Sequence, residues 1–188
     1  RVDSPAAETA VGAALKGVEI APGIYGERDM KAGFKTGAAM VSTVDANTLT
    51  MTVRKNGKVI RKIPVTTGKS GFETRSGIKP IMGKEGTVVM DAASGGTPVG
   101  SADYYRLTVH YSMRLTSSGE FVHAAPWSTG SQGRSSVSHG CVGMSTGNAI
   151  WLYDQSKVGD VVEVKNTGRK QDLGNGITEW NVKWAKWL

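Results

Sequence analysis

The stretch His123-Ala-Ala-Pro126-Trp127-Ser-Thr-Gly-Ser-Gln-Gly-Arg-Ser-Ser-Val-Ser138-His139-Gly140-Cys141 holds the only cysteine of a 188-residue chain and two of its three histidines. Between those ends it is mostly Gly, Ser, Thr and Pro, which is loop chemistry. A loop of this length inside a compact domain is uncommon unless it has a function. Its ends carry a thiol and an imidazole, the two groups that covalent acyl transfer through cysteine requires. A thiol attacks only as thiolate, and a free cysteine has a pKa of about 8.5. An imidazole must therefore take its proton or stabilise the anion. His139 is two residues from Cys141, where contact is possible only with strain. His123 comes from a separate segment and is assigned as the base, with His139 as a positioning residue. Gly140 lets the backbone turn sharply, and the amides of Gly140 and Cys141 are candidate oxyanion-hole donors, a feature worth about 10²–10³ in rate per donor.

Two other readings of the same residues stay open at this level. A lone cysteine is commonly a small buried apolar residue. His110, His123, His139 and Cys141 also supply four zinc-ligand types, although the His-Gly-Cys spacing is unlike the paired spacings of structural zinc sites.

Composition narrows the class. Twenty-five glycines and thirteen aromatic residues (Phe, Trp and Tyr) suit a mainly β protein rich in turns. The length allows one good-sized core. One cysteine allows no internal disulfide. No apolar run is long enough to span a bilayer, and no signal-peptide pattern is visible. The net charge of +7 favours polyanions in general. The basic residues are scattered, with no helix-borne cluster and no aromatic stacking platform, which argues against nucleic acid.

Along the chain, Ala6 to Leu15 reads as a short helix or a tail, and Val18 to Ile20 as a strand before a Pro22-Gly23 turn. Leu49, Met51 and Val53 alternate with polar residues, Asn56-Gly57 is a strong hairpin signal, and Val59 to Val65 returns as the partner strand. Ile78 to Met82, Thr87 to Met90, Tyr104 to Leu115 and Val161 to Val164 read as further strands. Gly95 to Asp103 is a polar loop. The one confident helix follows Cys141: Ser145 is its N-cap, Ala149, Ile150, Leu152 and Tyr153 its apolar face, Lys157 its last turn and Gly159 its end. Its positive end, shortly after Cys141, would favour a thiolate if aimed at the sulfur. Trp180, Trp184 and Trp187 stand at helix-like spacing, and docking of this tail on the domain is preferred to a sugar-binding stripe.

The pattern of His123, fourteen further residues, then a Ser138-His139-Gly140-Cys141 motif resembles the signature of L,D-transpeptidases with a YkuD-type catalytic domain. Phe121-Val122-His123-Ala-Ala-Pro126-Trp127 and Asn148-Ala-Ile-Trp151-Leu-Tyr153-Asp154 are similar to the mycobacterial branch. The resemblance implies a β-sandwich or barrel-like catalytic domain at 37–167 with an active-site lid, a Trp-rich tail at 168–188, and at 1–36 a remnant of, or linker from, a preceding Ig-like domain. It implies Cys141 and His123 as catalytic residues, with His139 and Gly140 completing the motif, and Tyr105, Met90, Trp127, Ser138 and Gly143 as substrate contacts. It implies peptidoglycan stem peptides as partners, a tetrapeptide donor and a diaminopimelate acceptor joined in 3→3 cross-links, with carbapenems acylating the same sulfur. It further implies no cofactor, no metal, and an exported protein at the cell envelope. Water in place of the amine would make it an L,D-carboxypeptidase, and a degenerate site a cell-wall-binding module. Two positions depart from the pattern. Gly143 stands where the motif usually has Asn, which bears on acceptor positioning and inhibitor sensitivity rather than reaction type. Ala124 replaces a common Ser whose backbone carbonyl orients the imidazole in relatives.

Overall fold

A computed structural model describes residues 17–26 and 37–186. The chain divides into two units, Arg1–Ala38 and Ala39–Leu188. In the first, β1 (Glu19–Ala21) and β2 (Ile24–Tyr25) make a small antiparallel hairpin around Pro22-Gly23. The helix-or-tail reading of Ala6 to Leu15 lies outside the described residues.

The second unit runs β3 (Met40–Asp45), β4 (Thr50–Lys55), β5 (Lys58–Pro64), β6 (Gly77–Pro80), β7 (Gly83–Asp91), β8 (Arg106–Arg114), β9 (Phe121–Ala124), β10 (Val142–Met144), α1 (Thr146–Gln155) and β11 (Val161–Lys165). One sheet has the order β5-β4-β3-β11-β6 and the other β10-β9-β8-β7. The period-two pattern works as expected. Met40, Ser42 and Val44 of β3 and Met51 and Val53 of β4 face inward, with their neighbours half-exposed. Asn56 and Gly57 close the β4–β5 hairpin at φ 51° and 82°, the doubly left-handed turn that Asn-Gly tolerates.

Both sheets and the helix feed one core. Val44, Met51, Ile63, Met113, Val122, Val142, Leu152 and Val162 come from eight different elements and pack into a single cluster. Each such side chain contributes about 2 kcal/mol when taken out of water. The helix is anchored by Ala149 and Leu152, and Ser145 Oγ accepts from the Asn148 amide at 3.4 Å, which caps it. Two details of the helix differ from expectation. Ile150 points outward and is exposed. The helix ends at Gln155, so Lys157 lies beyond its last turn: Ser156 turns extended while its amide still bonds Leu152 O.

The tail also differs. Instead of one helix it forms two single 3₁₀ turns, Glu179–Asn181 and Trp184–Lys186. Trp180 and Trp184 are 63% and 75% exposed, so their rings do not anchor the tail, and Trp187 lies outside the described residues. Polar groups hold it instead. Asn181 exchanges hydrogen bonds with Ile78 N and O at 2.7 and 2.9 Å, and Arg75 donates to Asp172 at 2.7 Å. Helical spacing of tryptophans was outweighed by this pairing to the edge strand β6.

Candidate active site

The long stretch that opened the sequence reading is a crossover. β9 and β10 are parallel neighbours, with Val142 opposite Val122 and Gly143 opposite His123. Parallel neighbours cannot be joined by a tight turn, so the chain must loop back through residues 125–141. That loop holds a 3₁₀ segment, Pro126–Ser131, and is stitched down by the 65–69 segment: Gly133 N bonds Val65 O, Val137 N and Ser138 N bond Thr67 O, and Lys69 N bonds Ser138 O. His123 is therefore the end of a strand rather than loop. Cys141 immediately precedes β10, one diagonal step from His123 and on the same face. Both line a cavity of about 370 Å³ with Met90, Tyr105, Trp127, Ser138, His139 and Gly143.

Cys141 is a free thiol, only 7% exposed. It packs with Met90, Val109 and Phe121. Sγ lies 3.7 Å from Gly119 O and 4.0 Å from Met90 Sδ, and it is hydrogen-bonded to neither imidazole. Burial pushes its pKa up to about 12; the Phe121 amide and Lys79 oppose this, and Glu120 adds to it. The neutral thiol is thus the resting form, because burial strips the charged form of water.

His123 is 5% exposed, and burial holds its pKa below the usual imidazole value. Its Nδ1 donates to the Ala124 carbonyl at 2.7 Å. A carbonyl only accepts, so the proton is on Nδ1, and Nε2 carries the free lone pair. Because the carbonyl is backbone, Ala at 124 serves as well as Ser. Trp127, 58% exposed, stacks on the imidazole at 5.9 Å and 26°.

The turn before the cysteine is held by Ser138. Its hydroxyl donates to Cys141 O at 2.6 Å and accepts from Gly140 N at 3.2 Å. Ser138, expected as a substrate contact, lines the cavity, and its hydroxyl is bonded to the backbone. The same bond occupies the Gly140 amide, so the oxyanion donor expected there is already used, and the Cys141 amide is the remaining candidate. Gly140 sits at φ 120°, which a side chain would strain. His139 packs edge-on against Phe72 and tilted against Tyr105, each at 4.7 Å. Its Nε2 is 3.7 Å from Asp103 Oδ1, too long for a hydrogen bond, and burial together with Lys69 lowers its pKa. Met90, Tyr105 and His139 also line a second cavity of about 520 Å³, and they form the wall between the two. Met90 and Tyr105 come from the β7–β8 hairpin and the segment joining its strands.

Several neighbours carry no signal in the sequence. Glu120 is 4% exposed; Lys79 Nζ donates to its Oε2 at 2.5 Å, and Arg75 donates to Oε1 from N and guanidinium at 3.0 Å each. Lys79 is itself 1% exposed, and burial lowers its pKa. An Arg and a Lys four residues apart, and a Glu more than 40 residues further on, read as surface residues until the fold joins them. Thr66, fully buried and on the cavity wall, reads as ordinary strand-end threonine. No group of three or more His, Cys, Asp and Glu is placed to hold a metal among the described residues, and the exposed His110 pairs with Thr87 Oγ1 at 3.0 Å.

The sequence profile of the YkuD L,D-transpeptidase catalytic domain matches residues 39–164. The chain belongs to this family. It is 40% identical to L,D-transpeptidase 2 of Mycobacterium tuberculosis (strain CDC 1551 / Oshkosh) over 182 residues, covering 95% of this chain and 45% of that protein. It is 45% identical to L,D-transpeptidase 1 of M. tuberculosis (strain H37Rv) over 139 residues, 74% of this chain and 55% of the relative. The chain thus spans about half the length of the curated relatives it matches. Among solved structures, the LD transpeptidase LdtMt1 in complex with imipenem superposes with a TM-score of 0.69 at 45% identity, covering 74% of this YkuD chain and 65% of that one. The mainly β architecture of the second unit, two sheets with one α-helix among its described residues, is that of the family.

Proposed function

We propose that this YkuD domain is a cysteine acyltransferase acting on peptidoglycan stem peptides, an L,D-transpeptidase forming 3→3 cross-links at the cell envelope, with residues 37–167 as the catalytic unit. The observation that carries the reading is the pairing, in one cavity, of a free thiol with an imidazole whose Nε2 is fixed as the acceptor. Cys141 attacks the carbonyl of the third stem residue, a diaminopimelate L-centre. Its proton goes to His123 Nε2, which returns it to the departing terminal D-alanine amine. Proton transfer of this kind contributes about 10²–10⁴. The thiol sits far above its ordinary pKa and the imidazole below its own. Proton transfer therefore accompanies attack instead of preceding it, and the resting pair is neutral. The Cys141 amide and the Tyr105 hydroxyl are the proposed oxyanion donors. A diaminopimelate side-chain amine of a second stem then opens the thioester, conserving the acyl bond energy. Imipenem, bound by a solved relative, is proposed to acylate the same sulfur, and carbapenems as a class with it.

Intact-protein mass spectrometry after incubation with imipenem tests this. A mass gain on the parent that is absent in Cys141→Ala is expected, together with cross-linked dimers in a muropeptide digest. A folded parent that gains no mass would refute the nucleophile assignment.

A further inference from the structure

Three backbone segments run side by side at the cavity. Thr66 bridges Gly143 antiparallel, with Thr66 N donating to Gly143 O at 2.8 Å and Gly143 N to Thr66 O at 3.1 Å. Gly143 is in turn in register with His123. Residues in one row across a sheet send their side chains to the same face. Thr66 and His123 therefore rise from that face on either side of Gly143, and all three line the 370 Å³ cavity. Two strand spacings, about 10 Å, separate the outer pair. The residue between them has no side chain. A Cβ at 143 would lie 2.7 Å from Thr66 Oγ1 and 2.9 Å from Ala125 Cβ. The row is thus a slot floored by bare backbone and walled by an imidazole and a hydroxyl.

The hydroxyl is unused. Thr66 is 1% exposed, yet Oγ1 has no hydrogen-bond partner among the described residues, whereas Thr67 pairs with Ser136 at 2.8 Å and Thr74 accepts from Gly68 N at 2.9 Å. The Thr66 hydroxyl is therefore left open to the cavity. Facing a cavity opposite the base, this one is placed to receive a group brought by substrate.

We propose that Thr66 is the acceptor-binding residue that seats the attacking amine opposite His123. The proposal rests on the acyl-transfer reading above and deepens it. The acceptor arrives as an ammonium, a stronger donor to a hydroxyl lone pair than water is, so Thr66 favours the amine over hydrolysis. On entry the ammonium sheds one proton to solvent. As the amine attacks the thioester carbon, the C–N bond forms and the C–S bond breaks. The second proton passes through His123 Nε2 to the departing sulfur, while the remaining N–H stays on Thr66 Oγ1. A side chain at 143 would press on that hydroxyl and on the Ala125 methyl, so one of them would have to shift.

The test compares Thr66→Val, of the same shape without the hydroxyl, with Thr66→Ser, which keeps it. The probe is a diaminopimelate-bearing stem tetrapeptide as donor and acceptor, and the readouts are the acceptor KM and the ratio of cross-linked dimer to trimmed tripeptide. Thr66→Val is expected to raise the acceptor KM and to lower the ratio about tenfold, with Thr66→Ser within about twofold of the parent. Gly143→Ala is expected to resemble Thr66→Val, and the two together to cost little more than either, which reads the same contact from a second residue should one variant fold poorly. A ratio in Thr66→Val within twofold of the parent, or a Ser variant no better than Val, would overturn the assignment. A parent that forms no Cys141 acyl-enzyme with the tetrapeptide would instead bring down the acyl-transfer reading itself, and is seen before any variant is compared.

Discussion

Replacing Lys79 by Met removes one partner of a buried ion pair beside Cys141. Lys79 is 1% and Glu120 4% exposed, and Nζ lies 2.5 Å from Oε2. Stranding one member of a buried pair costs about 3–5 kcal/mol, because the remaining charge has lost both water and partner. Here Glu120 Oε1 keeps two bonds from Arg75, which places the loss near the lower end, about 3 kcal/mol. For a domain of this size each kcal/mol moves Tm by about 2–4 °C, so the expected drop is about 6–12 °C. The assay is thermal unfolding by circular dichroism of the parent, Lys79→Met, and Lys79→Met with Glu120→Gln. In the double variant the charge is gone, Gln Oε1 still accepts from Arg75, and Arg75 keeps Asp172 at 2.7 Å. It should recover more than half of the loss. A single-variant drop under about 2 °C, or a double variant no better than the single, would show that the pair is not an energetic unit. The neighbouring Gly119 carbonyl contacts Sγ, so iodoacetamide labelling of Cys141 should change in the same order as the melting temperatures.

The remaining predictions concern the thiol, the imidazole and the turn. With burial raising the folded thiol to about 12, well above a free cysteine, the labelling rate of the resting protein should climb steadily from pH 7 to 10; a plateau below pH 9 would contradict the burial. The sign for stability follows. A folded pKa above the unfolded one gives a contribution that is intact below about pH 9 and lost as pH rises towards about 12, which alkaline melts of the parent and Cys141→Ala should resolve. Burial lowers the His123 pKa, so the acid limb of kcat/KM should lie below pH 6.5, and an inflection above that value would remove His123 as the base. Gly140→Ala forces a side chain onto φ 120° and should cost about 1–3 kcal/mol while slowing imipenem acylation more than it lowers Tm; unchanged acylation would dissociate the turn from the chemistry.

The sequence by itself determined the local choices and which residues are the candidates for the reactive groups. Alternation in β3 and β4, the Asn56-Gly57 turn and the Ser145 cap are short-range effects, settled by sterics and hydrogen bonds within a few residues. The single Cys141 in Gly-rich surroundings, with His123 a loop away, is likewise visible in one dimension, because a thiol and an imidazole, the groups proposed as nucleophile and base, leave a residue-type trace. What only the tertiary structure decided is everything that depends on which strands are neighbours. The parallel pairing of β9 with β10 turned the loop into a crossover and set Cys141 diagonal to His123. The bridge to Gly143 brought Thr66 into the same row, and packing closed Lys79, Arg75 and Glu120 behind the sulfur. Those residues have unremarkable neighbours in sequence. Burial, which moves a thiol to about 12 and leaves Trp180 and Trp184 in water despite their spacing, is a property of the packed chain and has no local signature.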